Sequence, residues 1–183
     1  MIYQTSIYYL LLPISKMIKK IILLLLFPFL SVLQNTFFGP FGKTAGIPNF
    51  VLVTFILILF FERNISKSYF VYPMAFFAGL SMDLFSPFLF GVYILLFLVL
   101  TEVLKRISAL VVKKNFITFT FFLIISIFLF ELSESFIFSI FNKQYVPFEF
   151  SRFIYNCILG FLFYFCYVFV QKTISNKKKR RGN

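Results

Sequence analysis

Six long apolar runs dominate the chain, and the short segments between them carry most of its lysines and arginines. A run of about 20 apolar residues is long enough to cross the hydrocarbon core of a bilayer as a helix. Because these runs are continuously apolar and do not alternate, their backbone polar groups are best satisfied within a helix. The runs cover residues 21–38, 45–61, 68–84, 88–104, 115–141 and 152–171. The pattern predicts an all-α, polytopic membrane bundle of six transmembrane helices.

The composition excludes two other classes of protein. Hydrophobic residues make up 61% of the 183 residues and charged residues only 13%, against about 45–50% and about 25% in soluble domains. Disordered chains are rich in charge and poor in apolar residues, which is the opposite of this composition. We therefore expect neither a soluble globular domain nor a disordered chain.

The positions of the basic residues predict how the helices cross the membrane. With six spans and a cytoplasmic N-terminus, 15 of the 18 lysines and arginines lie on the cytoplasmic side. Such an excess follows the positive-inside rule, so both termini are predicted to be cytoplasmic. The chain then divides into an N-terminal cytoplasmic or interfacial segment (1–20), a transmembrane domain (21–171) and a basic cytoplasmic tail (172–183). The tail is interpreted as a topology anchor or as a site of attraction to anionic membrane lipid.

Most polar residues within the runs fall at the helix ends that are predicted to face outward. Three stripes have a four-residue spacing, so the members of each share a helix face: Ala75, Gly79 and Asp83; Glu131, Ser135 and Ser139; and Arg152, Asn156 and Gly160. A charged group that faces lipid is costly, so these stripes are expected to face inward. We expect Arg152 to pair with Asp83 or with Glu131 or Glu134 of the fifth run. The alternative is that each residue only marks a helix end in the headgroup region.

Sequence signatures of catalysis and of cofactor binding are absent. The chain has no histidine, which excludes a His-dependent catalytic triad and an H-E-x-x-H metal site. It also has no P-loop and no dinucleotide-binding glycine pattern. We expect no enzymatic activity, no cofactor, no metal and no nucleic-acid partner. A channel or a proton-coupled carrier would need polar residues through the whole membrane, whereas the inner halves of the predicted helices are apolar.

One block of the sequence resembles a known family. It starts with Pro48 and Asn49 before an apolar run, continues with AGLSMDL at 78–84, and ends with Phe90-Gly91-Val92. This block, about residues 34–104, resembles the rod shape-determining protein MreD family. Members of that family have a proline-initiated second helix, a G-L-x-x-D-hydrophobic segment and a glycine shortly afterwards.

The resemblance implies a non-enzymatic subunit of the bacterial inner membrane that takes part in peptidoglycan synthesis during cell elongation and in the regulation of cell shape. Such proteins associate with MreC, a single-span protein, and act with the actin-like MreB, the polymerase RodA and a transpeptidase. The motif carries over to Pro48, Gly79, Asp83 and Gly91. Together with Glu131 and Arg152, these are the candidate structural and interaction residues: Pro48, Gly79, Asp83, Gly91, Glu131 and Arg152.

A second interpretation follows from the fold that the resemblance implies. The MreD fold resembles the substrate-binding subunit of energy-coupling-factor vitamin transporters. A transporter subunit of that kind would bind its ligand in the same outer, polar half of the bundle. It would need a deep cavity with several aromatic and polar groups.

Overall fold

The computed structural model describes residues 18, 20–38, 47–62, 65, 68–86, 89–110, 114–142 and 149–181. Within these residues the chain forms six helices and no strand, which confirms the predicted all-α class for this part. The helices are α1 (residues 20–33, continued by a π-helical turn at Gln34–Phe38), α2 (Phe50–Phe61), α3 (Val71–Asp83), α4 (Val92–Leu110), α5 (Phe116–Asn142) and α6 (Phe150–Arg181). Almost all of the predicted N-terminal segment 1–20 lies outside the described residues.

Three of the six helices are long and apolar enough to cross a membrane. These apolar stretches are Lys20–Phe37 in α1, Phe116–Ile140 in α5 and Phe150–Thr173 in α6. By contrast, α2 is apolar but has only 12 residues, which corresponds to about 18 Å at 1.5 Å per residue. The structure therefore supports a membrane protein by the length and composition of these three helices.

The short helix α2 forms the centre of the bundle. Its residues Val51, Leu52 and Ile56 are fully buried, as expected for a helix that is apolar on all sides. Phe55, also fully buried, contacts Phe97 of α4 edge-to-face with ring centroids 5.1 Å apart. Aromatic pairs of this geometry add stabilisation beyond the buried area. The core thus depends on aromatic packing around α2.

The helices α3 and α4 form a tightly packed antiparallel pair. Gly79 of α3 lies against the backbone of α4, where an added Cβ would come within 2.6 Å of the nitrogen of Ile94 and 2.8 Å of the carbonyl carbon of Tyr93. Small residues allow this close approach of two helix backbones. Ala75 and Asp83, the other members of the predicted stripe, are also buried, so the stripe faces inward as expected.

Some helix ends differ from those expected from the sequence. The helix α4 continues to Leu110 into the predicted link 105–114, and α6 continues to Arg181 through most of the predicted tail. Neither extension contains glycine or proline, and lysine and arginine are good helix formers. Helical backbone therefore persists after the apolar pattern has ended.

The predicted proline start of the second helix is wrong in position. Residues 47–49 are not helical, and α2 begins at Phe50. Asn49 is the N-cap, because its side chain accepts a hydrogen bond of 2.9 Å from the backbone N–H of Leu52. Asparagine is a favoured N-cap residue. Pro48 precedes the cap and lies outside the helix.

Candidate functional site

Most of the buried polar side chains gather at one end of the bundle, where α1 and α3 end and where α2, α4 and α6 begin. Eight residues from all six helices and their caps form this group, which we call the polar network: Gln34, Asn49, Asp83, Tyr93, Glu131, Glu134, Arg152 and Asn156. All except Arg152 are buried. A buried polar group is costly unless it is hydrogen-bonded. The hydrogen bonds and ion pairs within the network therefore offset the cost of burying these polar side chains.

Asp83 caps the first turn of α4. Its two carboxylate oxygens accept hydrogen bonds from the backbone N–H groups of Tyr93 (3.0 Å) and Ile94 (3.1 Å). The first N–H groups of a helix have no partner within the helix, and the helix dipole favours negative charge there. The side chain of the last residue of α3 thus accepts hydrogen bonds from two backbone N–H groups in the first turn of α4.

Gly91 makes the connection into α4 possible. Its backbone has a φ of +99°, a conformation that residues with a Cβ seldom adopt. The helix starts at the next residue, Val92, which places the N–H groups of the first turn opposite Asp83. Gly79 therefore allows the close backbone contact, Asp83 provides the cap and Gly91 forms the turn. We call α3, α4 and the junction that these three residues form the α3–α4 unit.

Arg152 of α6 forms ion pairs with two glutamates of α5. Its Nε donates to Glu131 Oε2 at 2.7 Å, and its Nη2 donates to Glu131 Oε2 and, at 2.5 Å, to Glu134 Oε2. Of the two predicted types of partner for Arg152, the α5 glutamates are therefore the ones found, and Asp83 binds backbone instead. Glu134 is 4% exposed, so it does not merely mark a helix end at the surface.

Tyr93 joins the α3–α4 unit to this ion-pair cluster. Its backbone N–H is bound by Asp83, and its phenol donates a hydrogen bond of 2.5 Å to Glu134 Oε1. Tyr93 was not predicted as a site residue, because a tyrosine at the start of an apolar run is typical of an interfacial aromatic residue. The sequence signal for its role was the spacing of Asp83 and Gly91, because it places the start of the next helix, α4, beside Tyr93.

Asn156 extends the network to α2. Its Nδ2 donates to Glu131 Oε1 at 3.1 Å, and its Oδ1 accepts a hydrogen bond of 2.6 Å from the backbone N–H of Asn49. The next N–H group of α2, that of Phe50, donates to Gln34 Oε1 at 3.0 Å. Side chains of α1 and α6 therefore both bind backbone N–H groups at the N-terminus of α2. The four-residue spacing from Arg152 to Asn156 was the sequence signal for the contribution of α6.

A cavity of about 240 Å³ opens beside the polar network. Its walls contain polar network members, further polar residues and a few apolar side chains: Gln34, Asn35, Ile47, Asn49, Met82, Phe85, Ser86, Tyr93, Glu134, Glu149 and Arg152. The wall includes two glutamates and one arginine, which gives it a formal charge of −1. A small polar group has room to bind in this cavity.

The opposite end of the bundle has a different chemistry. There the Nζ of Lys105 donates a hydrogen bond of 2.8 Å to the phenol of Tyr72, which in turn donates to Glu102. The hydrogen bond with Tyr72 raises the pKa of Lys105. Lys20 lies 4.9 Å from the ring centroid of Phe70, within the range of a cation–π contact. Cations and aromatic rings thus mark this end.

No protein-family model, curated protein or solved structure matches this chain. Among the described residues, no group of histidine, cysteine, aspartate or glutamate side chains is arranged to hold a metal ion. Each buried carboxylate in the polar network binds a backbone N–H group, an arginine, an amide or a phenol. The chemistry of the site is therefore that of helix capping and charge compensation, with the cavity beside it.

Proposed function

We propose that this protein is a membrane-embedded, non-enzymatic scaffold subunit of the bacterial cell-wall elongation machinery, similar to the MreD family. It would reside in the bacterial inner membrane and contribute to the control of cell shape. The observation that carries the proposal is the α3–α4 unit. Three residues of the motif that resembles that family, Gly79, Asp83 and Gly91, act on one structural feature, the close junction of two helices.

The roles of these three residues favour a scaffold over a catalyst. Asp83, the most costly residue of the motif to bury, has both carboxylate oxygens bound to backbone N–H groups. A carboxylate engaged in this way stabilises a helix start and is poorly placed to act as a base or nucleophile. A rigid helix junction is what a subunit needs in order to present a constant surface to partners.

The proposed topology has six crossings and cytoplasmic termini. The excess of 15 basic residues to 3 supports it, and so does the basic character of the end opposite the polar network. The short helix α2 would then reach only part of the way through the bilayer. Non-helical backbone at membrane depth is tolerated where protein surrounds it. The backbone before α2 meets this condition at Asn49, which is 6% exposed and donates its N–H to Asn156.

The proposed partners are membrane lipid and a single-span protein of the MreC type. A RodA-type polymerase and a transpeptidase would belong to the same complex, with MreB attached indirectly. The outer faces of α5 and α6 carry a series of exposed apolar residues, including Phe121, Phe128, Leu162 and Phe169. A partner helix can pack on such a face in the membrane as well as lipid does.

Depletion of the protein in its native bacterium tests the proposal. We expect rod-shaped cells to become round and wide under the microscope, and wild-type protein supplied from a plasmid to restore the rods. The protein should also copurify with a single-span membrane protein. Normal cell shape after complete depletion would contradict the proposed function.

The cavity favours a second candidate function, a substrate-binding subunit of an energy-coupling-factor-type vitamin transporter. Its volume of about 240 Å³ falls below the 300–1,000 Å³ that is usual for small-molecule pockets, which makes this the weaker candidate. Depletion separates the two functions. A transporter subunit would give cells of normal shape that require an added nutrient.

A further inference from the structure

The cavity beside the polar network has hydrogen-bond donors that no described residue uses. Gln34 is 8% exposed, and because its Oε1 accepts from the backbone of Phe50, its Nε2 is the group left to donate. Asn49 is 6% exposed, and its Oδ1 is likewise taken by Leu52, which leaves Nδ2. Both residues line the cavity. Among the described residues, the enclosed side-chain atom without a hydrogen-bond partner is Thr54 Oγ1. The two amide nitrogens therefore reach the open space of the cavity, where a ligand with acceptor atoms can accept hydrogen bonds from both.

Arg152 adds a third donor to the cavity wall. Its Nε and Nη2 bind the α5 glutamates, whereas Nη1 donates no hydrogen bond to the described residues. The side chain is 25% exposed and lines the cavity. Guanidinium and amide donors together suit an oxyanion such as a phosphate.

The charge of the site disfavours a simple anion as the ligand. Glu134 and Glu149 line the cavity, and Glu131 lies directly behind Arg152. These three carboxylates and one guanidinium give a formal charge of −2. The Glu149 carboxylate is 52% exposed and lies 4.0 Å from Arg152 Nε, without a hydrogen bond to the described residues. A ligand must therefore offer acceptors to the donors and a positive group to Glu149.

We propose that this cavity binds a phosphoethanolamine headgroup. The phosphate would accept hydrogen bonds from Gln34, Asn49 and Arg152, and the primary ammonium would donate to Glu149. The zwitterion matches both the donors and the excess of carboxylates. Its small size also fits a cavity of about 240 Å³.

The surroundings of the cavity favour a headgroup that is attached to a lipid. Phe85 lines the cavity and is 46% exposed, and Phe37 and Phe150 at the same end are about two-thirds exposed. Acyl chains can pack against such side chains, whereas a free headgroup would leave them uncovered. This step depends on the proposed membrane embedding, since the cavity would then lie at the level of the headgroups.

Native mass spectrometry of the full-length, delipidated protein in detergent tests the proposal. The probes are phosphatidylethanolamine, phosphatidylcholine and phosphatidylglycerol with identical acyl chains. A choline headgroup has no N–H donor for Glu149, and a glycerol headgroup has no positive charge. We expect phosphatidylethanolamine to bind about tenfold more tightly than either, the effect of one hydrogen bond to a charged group.

Two variants and a control locate the site. Glu149→Gln removes the partner of the ammonium, and Gln34→Glu keeps the acceptor for Phe50 while it removes the donor to the phosphate. Glu149→Gln should reduce the preference for phosphatidylethanolamine about tenfold, whereas Gln34→Glu should weaken the binding of all three lipids about tenfold, because each of them carries the phosphate. Glu62→Gln, which changes an exposed carboxylate at the opposite end, should leave the preference unchanged. Thermal unfolding in detergent shows that each variant is folded.

Equal binding of the three lipids to the wild-type protein would overturn the proposal, as would a preference that survives in Glu149→Gln or unchanged binding of all three lipids to Gln34→Glu. Glycerophosphoethanolamine, the headgroup without acyl chains, distinguishes the source of the ligand. Competition at the same concentration as the lipid would support a soluble ligand, and failure to compete would support the lipid. The lipid-binding measurements use purified protein in detergent and test only the headgroup proposal. The depletion experiment tests only the proposed role in cell shape, so a failure of either proposal can be recognised separately.

Discussion

Tyr93 donates its phenolic hydrogen to Glu134 at 2.5 Å, across 41 residues of sequence. The same tyrosine is held at its backbone by Asp83. A single residue therefore connects the capped start of α4 to the ion pairs between α5 and α6. We therefore expect this hydrogen bond to stabilise this end of the bundle.

Tyr93→Phe should remove the connection and leave the rest of the site in place. We expect the free energy of unfolding to fall by about 1.5–3 kcal/mol, because a buried hydrogen bond to a charged group is lost. Thermal or denaturant unfolding in detergent measures the change. Tyr72→Phe removes a comparable contact to the exposed Glu102 and should have a smaller effect. Equal effects of the two substitutions would contradict the importance of burial here.

Asp83→Ala should destabilise the protein through the loss of the cap. Two backbone N–H groups of α4 would lose their acceptor within the bundle, and we expect a cost of about 2 kcal/mol or more. Asp83→Asn keeps one acceptor oxygen and should cost less. Glu102→Ala, at an exposed carboxylate near the other end, is the control. A stable Asp83→Ala protein that no longer copurifies with the proposed single-span partner would show that Asp83 acts in binding instead.

Gly79→Ala should be much more harmful than Gly160→Ala. At Gly79 the new Cβ meets the backbone of α4, which can yield only if the two helices move apart. At Gly160 the new Cβ meets the flexible side chain of Leu123, 2.5 Å away at its nearest atom, which can rotate. The yield of folded protein from membranes and its unfolding temperature measure the difference. Similar losses in both variants would show that α3 and α4 do not need their close contact.

Arg152→Met should strongly destabilise the bundle. It leaves Glu131 and Glu134 buried without their positive partner, and such a break costs about 3–5 kcal/mol. Adding Glu131→Gln and Glu134→Gln to the same protein should restore much of the stability, because the uncompensated charge is removed. Unfolding of the single and triple variants measures both effects, with Arg106→Met at an exposed position as the control. A triple variant no more stable than the single one would argue against charge compensation.

The proposed topology predicts the location of the C-terminus. A reporter enzyme that is active only in the periplasm should be inactive when fused after Asn183, and active when fused in the segment 143–148 between α5 and α6. The positive-inside distribution gives this expectation. Activity of both fusions would place an odd number of crossings before the C-terminus and reject the six-span proposal.

Part of the polar network could be predicted from the sequence. The four-residue stripes placed Asp83 and Asn156 inward, and the cost of a buried charge predicted a partner for Arg152. Which carboxylate would be that partner was open, because spacing along one helix carries no information about the rotation of another. The roles of Gln34 and Tyr93 were not visible either, since each acts on a residue of a different helix.

The sequence by itself determined the helical class, which the described part of the chain shows, and the apolar runs of membrane length. Both depend on the cost of exposing backbone and apolar groups, which acts on each segment separately. It also determined where two helices approach closely and where a turn leads into a helix, as at Gly79 and Gly91, whereas α2 starts after Asn49 and not at Pro48 as predicted. Only the tertiary structure decided that Asp83 binds backbone while Arg152 binds Glu131 and Glu134. That choice depends on the relative rotation and depth of packed helices, which is set by the fit of side chains such as Phe55 and Phe97 in the shared core.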